Sequence, residues 1–324
     1  MTRASSARRL LLPLVPLYRL ALALRELRLA SRLEPVRRLC FPVVSVGSLS
    51  AGGSGKTPLT IALAQALKLR GLHVDVLSRG YGRQSRAALR VDPSGSAEEF
   101  GDEPLLIARE TGVPVYVAAQ RHEAGLMAEC SARSLPGLHL LDDGFQHRQL
   151  HRDVDILLMD GRDLQDHLLP AGNLREPLRA MLRANVLAIP AGDIELETKL
   201  SASGWLGQVW RLRRRMEVPH IEGPIIAFCG IARSEQFFAG LEAAGLHLAS
   251  RIAFPDHHPY KAHDLDCIRD AARSVGATAV LTTEKDCVRL GKLGASIPLK
   301  TARLRIEIEN EEEAVKGLMK ILGL

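Results

Sequence analysis

The sequence predicts an α/β fold: a parallel sheet built around a phosphate-binding loop, with a second, smaller α/β domain joined to it by a two-stranded linker. Three observations carry this expectation. A β-branched run at Val43 leads into a glycine-rich turn and then a helix-patterned segment. Apolar runs ending in aspartates follow at Leu138–Asp143 and Val154–Asp160, as buried parallel strands do when they end at a ligand-binding edge. Two strand-like alternating segments, Gln208–Arg215 and Ala302–Glu309, bracket about 85 residues with a strand and helix rhythm of their own. The length of 324 residues suits two domains.

Composition narrows the function classes. With 46% apolar and 25% charged residues, the chain falls outside the disordered and fibrous classes. Seven Phe, four Tyr and two Trp are too few for a platform that stacks single-stranded nucleic acid. The formal charge of +6 sits almost wholly in residues 1–40, where nine Arg and two Glu give +7 and leave −1 for the remaining 284 residues. The five cysteines are odd in number, scattered and without a C-x-x-C pair, so they support neither a zinc knuckle nor a disulfide scaffold.

The first element, residues 1–40, is basic and leucine-rich. Its apolar stretch 10–24 is broken by Pro13, Pro16 and Arg19, so the run falls short of the ~20 residues a spanning helix requires. Arg8–Arg9 before the apolar run and Ala21-Leu22-Ala23 after it resemble an export signal, but Arg19 interrupts the hydrophobic region. A helix after Pro16 fits better. It sets Arg25, Arg28 and Arg32 on one face and Leu20, Leu24 and Leu27 on another, suited to a membrane surface. An ordinary helix packed on the first domain is the competing reading.

The second element is VVSVGSLSAGGSGKTPLTIALA, residues 43–64. Gly52, Gly53 and Gly55 let backbone amides converge on phosphate oxygens at the start of a helix. Ser50, Ala51, Gly52, Gly53, Ser54, Gly55, Lys56 and Thr57 are therefore the expected nucleotide cradle of a P-loop NTPase-like domain, although Ser50 stands where the strict G-x-x-x-x-G-K-[ST] pattern has its first glycine. Lys56 would reach the β- and γ-phosphates, and the Thr57 hydroxyl would ligate Mg²⁺. Asp142 and Asp143, at the end of the run LHLLDD, are the candidate carboxylates on the metal side.

Further polar clusters occupy expected loops. LSRGYGR spans 77–83, GDEP 101–104 and LPAGNLREP 169–177, the last holding Arg175 and Glu176. Phosphorylating an alcohol requires a carboxylate or histidine to take the hydroxyl proton, and these loops are where it is expected; Asp102 taken alone reads as a helix cap. In the second half, FPDHHPY holds His257 and His258 without metal-ligand spacing, and TTEKD offers either Lys285 to an anion or a helix cap by Thr283.

Read in order, VGSLSAGGSGKTP, LSRGYGR, GDEP, LDDGFQHR, LLPAGNLREP, FCGIA, FPDHHPY and LTTEKD resemble the tetraacyldisaccharide 4′-kinases of lipid A biosynthesis over nearly the whole chain. The Ser50 departure is shared by that family. The resemblance implies a kinase using ATP and Mg²⁺ at the cytoplasmic face of a Gram-negative inner membrane. It would transfer the γ-phosphoryl group to the 4′-hydroxyl of tetraacyldisaccharide 1-phosphate, with the inner-membrane surface as its other partner and no nucleic acid or protein partner implied. It implies Asp102 as the residue that takes the proton, acting with His257, and Lys56 in the P-loop. It sets Thr57, Asp142, Asp143 and Glu176 on the metal and phosphate side, with His258 as a second candidate for the catalytic histidine.

The expected organisation is a membrane-surface segment at 1–40 and a kinase domain at 41–207 to which 310–324 returns. A linker at 208–218 and 302–309 would join it to a smaller domain at 219–301. The alternative is a membrane-docked P-loop regulatory NTPase without a lipid acceptor.

Overall fold

The computed structural model describes residues 8, 10–31, 33–131 and 137–324. Arg32, expected on the cationic face of the first helix, lies outside the described residues, as do 1–7. Described strands are β1 (Val43–Ser48), β2 (His73–Ser78), β3 (Leu89–Arg90), β4 (Val115–Val117), β5 (Gly137–Asp142) and β6 (Val154–Leu158). They continue with β7 (Val186–Pro190), β8 (Gln208–Glu217), β9 (Ile225–Cys229), β10 (Leu248–Ala253), β11 (Ala279–Thr283) and β12 (Leu299–Ile308).

All twelve belong to one sheet in the order β10-β9-β11-β12-β8-β7-β6-β1-β5-β2-β4-β3. From β8 to β4 the strands are parallel, with the short β3 antiparallel at the edge. From β12 to β10 they are again parallel. The halves meet where β8 and β12 pair antiparallel, Leu212–Glu217 against Arg303–Ile308. Opposed directions in a flat sheet would put the two sets of carboxyl ends on opposite edges. Both sets line one cleft, so this ribbon carries a large turn of the sheet.

Burial explains why these runs became strands. β1, β5 and β6 are buried along their whole length, which parallel strands covered by helices on both faces require. The covering helices are α1 (Val15–Ala30), α2 (Lys56–Leu69), α3 (Asp102–Thr111), α4 (Arg121–Ser131), α5 (Ile194–Ala202), α6 (Ser234–Ala243), α7 (Ala262–Ser274), α8 (Glu284–Leu290) and α9 (Glu311–Leu322). Helix α2 contributes Leu59, Leu63 and Leu67 to the core under β1 and β2. Helix α9 adds Ala314, Val315 and Leu318 to that same core, so the carboxyl end of the chain packs back on the phosphate-loop half. A separate core around Phe228, Tyr260, Leu265 and Ile268 holds α7 against the other half.

Helix α1 has no buried residue, and no described helix is long and apolar enough to cross a membrane. Val15, Tyr18 and Leu22 pack against the core formed by Leu49, Phe145 and Leu187. Leu17, Leu20, Leu24 and Leu27 point outward, each at least half exposed. The shared face expected for Arg25 and Arg28 does not form: Arg25 turns inward and donates to the Gln146 carbonyl, while Arg28 stays exposed. At helical spacing, Arg25 continues the stripe of Val15, Tyr18 and Leu22, so it points where they point.

Candidate active site

The phosphate loop starts where β1 ends. Gly52, Gly53 and Gly55 all have positive φ, and Gly55 is the residue before α2. Side chains rarely adopt that backbone, so the turn requires glycine there. Gly47 is required for a different reason: a Cβ at that position would meet Phe145 Cβ at 2.4 Å. The loop is braced from outside by residues 173–175. Ala51 N donates to the Asn173 carbonyl at 2.8 Å and Arg175 N to the Leu49 carbonyl at 2.7 Å.

The Lys56 ammonium group lies across this loop. It donates to Ser48 Oγ and Ser54 Oγ, both at 3.2 Å, and stands 3.6 Å from Asp143 Oδ1. Burial pulls its pKa down, with the Asp143 charge opposing. Asp142 accepts from Thr60 Oγ1 at 3.0 Å, one helical turn beyond the buried Thr57. Burial and the charges of Glu103 and Asp143 push the Asp142 pKa up to about 7. Asp143 Oδ2 accepts from Arg175 at 3.0 Å, while its buried Oδ1 has no hydrogen-bond partner. Crowded carboxylates with one unsatisfied oxygen beside a threonine hydroxyl are a donor set suited to a hard divalent cation. Among the described residues no three His, Cys, Asp or Glu side chains converge as a ready-made cage. Mg²⁺ typically takes only one or two carboxylates and completes its shell with phosphate and water.

Glu176, expected on the metal side, lines no part of the cleft. It is buried and paired with Arg183 at 2.8 Å. Adjacent residues of an extended loop point to opposite sides, and here Arg175 faces the site while Glu176 faces the packing behind it.

On the same half as the phosphate loop, Asp102 opens α3 after Gly101, whose φ of 90° reorients the chain. Its Oδ1 accepts from Glu103 N at 2.9 Å; its Oδ2 accepts from Arg289 Nε at 2.8 Å and faces His257 Nδ1 at 3.1 Å. Burial opposes ionisation of Asp102, yet the His257 hydrogen bond and the charges of Arg289, Lys285 and His257 hold its carboxyl well below the usual range. The same hydrogen bond raises the His257 pKa against the effect of burial. His257 sits at φ 57° and lines the cleft, its ring 5.2 Å from that of Tyr81. His258 points elsewhere, stacked on Phe254 at 4.7 Å and bonded to Asp264 at 3.0 Å.

The cleft encloses about 1240 Å³ between the two halves. It holds the phosphate loop from Ala51 to Thr57, together with Asp142, Asp143, Arg175 and His257. Ser50 lies just behind it, buried and bridged to Leu174, and Asp102 lies behind His257. The motif reading did not single out Arg121, Arg214, Arg233 or Arg289. Arg121 is buried at the start of α4, where burial and the neighbouring Arg79 charge bring its pKa down to about 10. Arg214 donates to the Ser54 carbonyl at 2.8 Å, and Arg233 packs over Gly53 and pairs with Asp160 at 3.2 Å. Arg121, Arg214 and Arg289 stand in no glycine-flanked motif and Arg233 lies one residue past FCGIA, so only the alternation of β8 hinted at the direction of Arg214.

Known proteins resemble this chain over nearly its whole length. A family model described as tetraacyldisaccharide-1-P 4′-kinase matches residues 7–322. A protein named tetraacyldisaccharide 4′-kinase from Koribacter versatilis (strain Ellin345) is 41% identical over 322 residues, covering 96% of this chain and 98% of that one. One of the same name from Polaromonas naphthalenivorans (strain CJ2) is 37% identical, covering 96% and 91%. Among solved structures, the "apo" form of LpxK from Aquifex aeolicus in complex with ATP superposes with a TM-score of 0.76. It is 33% identical, with 98% of this chain and 99% of that one covered.

Proposed function

This chain belongs to the tetraacyldisaccharide-1-P 4′-kinase family, and on that basis we propose how its residues divide the reaction. The enzyme is an ATP-dependent kinase that phosphorylates the 4′-hydroxyl of tetraacyldisaccharide 1-phosphate in lipid A biosynthesis. A regulatory NTPase lacking a lipid acceptor is not favoured.

The observation that carries the site assignment is the pairing of Asp102 with His257, which lines the same cleft as Lys56. The amides of residues 51–57 receive the ATP phosphates, and Lys56 leaves its serine partners for the β- and γ-phosphates. Thr57, Asp142 and Asp143 would hold Mg²⁺, and Glu176 is left out of that set because it lies outside the cleft, paired with Arg183 through one oxygen. When bound, Mg²⁺ offsets the negative charge on the phosphates. The acceptor's 4′-oxygen attacks the γ-phosphorus as the bond to the bridging oxygen of ADP breaks.

The hydroxyl proton goes to Nε2 of His257, whose Nδ1–H is held by Asp102. This revises the expectation that Asp102 itself takes the proton, because both of its oxygens are already engaged and it lines no part of the cleft. An aspartate in that position orients the imidazole and stabilises the imidazolium that forms. Arg79, Arg121 and Arg175 line the same cleft and suit a phosphorylated acceptor.

Residues 41–207 with 310–324 form the nucleotide-binding body, 219–301 the smaller one, and the ribbon at 208–218 and 302–309 the hinge between them. The outward leucines of α1, close to a cleft mouth lined by Arg25 and Arg37, support docking on an anionic inner-membrane surface at its cytoplasmic face. An assay with ATP and tetraacyldisaccharide 1-phosphate in mixed micelles, read by product mass, tests the reaction. A gain of one phosphate that is lost in Lys56→Ala is expected. ATP consumption without phosphorylated lipid would overturn the reading.

A further inference from the structure

We propose that Arg289 is a positioning residue of the reaction, fixing Asp102 and His257 together from a buried platform on the smaller half of the chain. The inference rests on the reading of Asp102 and His257 as the proton-accepting pair. Arg289 lies on α8 and its side chain is 7% exposed. Its Nε donates to Asp102 Oδ2 at 2.8 Å, and one terminal nitrogen, Nη1, donates to the Gly230 carbonyl at 2.6 Å and to Asp286 Oδ1 at 2.8 Å. The Gly230 carbonyl also accepts from His257 N at 3.1 Å. One guanidinium therefore touches the aspartate of the pair directly and shares an acceptor with the backbone of the histidine.

The platform beneath it is complete. Asp286 has no exposed surface; its Oδ1 accepts from Gly230 N at 3.0 Å and from the Tyr260 hydroxyl at 2.9 Å, and its Oδ2 accepts from Thr283 Oγ1 at 2.6 Å. These bonds leave Asp286 and the Gly230 turn little freedom, so the guanidinium plane is fixed before any substrate arrives. Asp102 belongs to the other half of the chain, 187 positions away, and α3 carries it into this fork. The contacts that Arg289 and His257 make with Asp102 therefore both cross between the halves. Lysine would not replace this arrangement, because one ammonium point charge lacks the planar fork that spans the carboxylate and the carbonyl.

The charge has its own consequence. Asp102 faces His257 and Arg289, with Lys285 nearby; His257 faces Asp102, Asp256, Arg289 and the Tyr81 ring. The Arg289 charge keeps Asp102 ionised and also repels a proton on His257. Neutral His257 is the form that accepts a proton, so removing the charge moves the acid limb of the kcat profile to higher pH.

The test measures kcat and KM against pH for Arg289→Gln, Arg289→Lys, Asp102→Asn and the doubles of each Arg289 change with Asp102→Asn, using ATP and tetraacyldisaccharide 1-phosphate. Arg289→Gln is expected to lower kcat at least tenfold, leave KM for ATP within about twofold, and raise the acid limb. Arg289→Lys is expected to lower kcat with the limb in place. In the Asp102→Asn background either change should cost little more, since Arg289 acts through Asp102. Where the glutamine variant does not fold, the lysine pair carries the test through that non-additivity. Unchanged kcat in Arg289→Lys, or losses that add fully to those of Asp102→Asn, would overturn the proposal. An unchanged kcat in Asp102→Asn would instead remove the pair on which it rests.

Discussion

Nδ1 of His257 stands 3.1 Å from Oδ2 of Asp102, although 155 positions of chain separate them. The contact raises the histidine's pKa, so its neutral, proton-accepting form prevails only above the ordinary value of about 6.5. Activity should therefore fall as pH drops through that raised value. Asp102→Asn removes the charge that holds the proton, so the acid limb should move to lower pH while kcat falls by roughly 10²–10⁴. The direction is opposite to that expected for Arg289→Gln. A pH–rate profile of the Asp102 variant checks it, and a limb that stays in place would break the assignment.

Lys56 and Asp143 stand 3.6 Å apart beside the phosphate loop, and they should fail differently. Lys56→Ala removes charge directed at the transferring group and is expected to abolish product formation. Asp143→Asn keeps the shape but frees Arg175 and takes a charge from the cation site, so the main effect should be a weaker requirement-saturation curve. The Mg²⁺ concentration giving half-maximal rate should rise about tenfold or more. Titrating Mg²⁺ at fixed ATP separates the two variants.

Local signals carried far in this chain, and their reach has a physical limit. Gly52, Gly53, Gly55 and Lys56 were readable because a phosphate loop requires glycine conformations at fixed spacing. The strand ending at Asp142 was readable because burial on both faces demands a continuous apolar run. His257 could not be told from His258 by composition, since the difference lies in a positive φ that aims one ring at Asp102 and leaves the other on Phe254. That Arg175 faces the cleft while Glu176 turns to Arg183 was not legible either, since neighbouring residues of one loop differ only in direction. Arg289 left no trace beyond its helix: its meaning comes from Asp102, which arrives from the other half of the sheet. Strand β10 went unread because LASRIA carries a charge within a short, half-exposed edge strand.

Leu20, Leu24 and Leu27 stand 50–64% exposed on the outer face of α1. A charge at these positions leaves the packing of Val15, Tyr18 and Leu22 untouched, so thermal stability should change by less than about 0.5 kcal/mol per site. Binding to a bilayer should weaken strongly, because each leucine side chain contributes roughly 1.5–3 kcal/mol when buried. Leu20→Glu with Leu24→Glu is expected to lower sedimentation with anionic vesicles at least tenfold and to raise KM for bilayer-embedded acceptor. Undiminished sedimentation by the double variant would mean that α1 is simply a packed helix.

At the opposite end of β2 and β5 from the cleft, His139 is wholly buried between Asp75, at 3.7 Å, and Glu129, at 3.5 Å. Burial lowers its pKa to about 4 although Glu129 pulls the other way, so the folded protein keeps this ring neutral. The unfolded chain protonates it near 6.5. A folded pKa below the unfolded one contributes stability that is intact above about 6.5 and is lost as pH falls towards 4. Between pH 7 and pH 5 the loss from this group alone is about 2 kcal/mol. Burial raises the Asp75 pKa, which acts in the opposite sense and trims the loss from below. His139→Gln keeps a polar group between the same carboxylates but removes the titration. Chemical denaturation of both proteins at pH 7 and pH 5 should therefore show the wild type losing more stability on acidification than the variant does. Equal losses would mean that the acid sensitivity of this fold originates elsewhere.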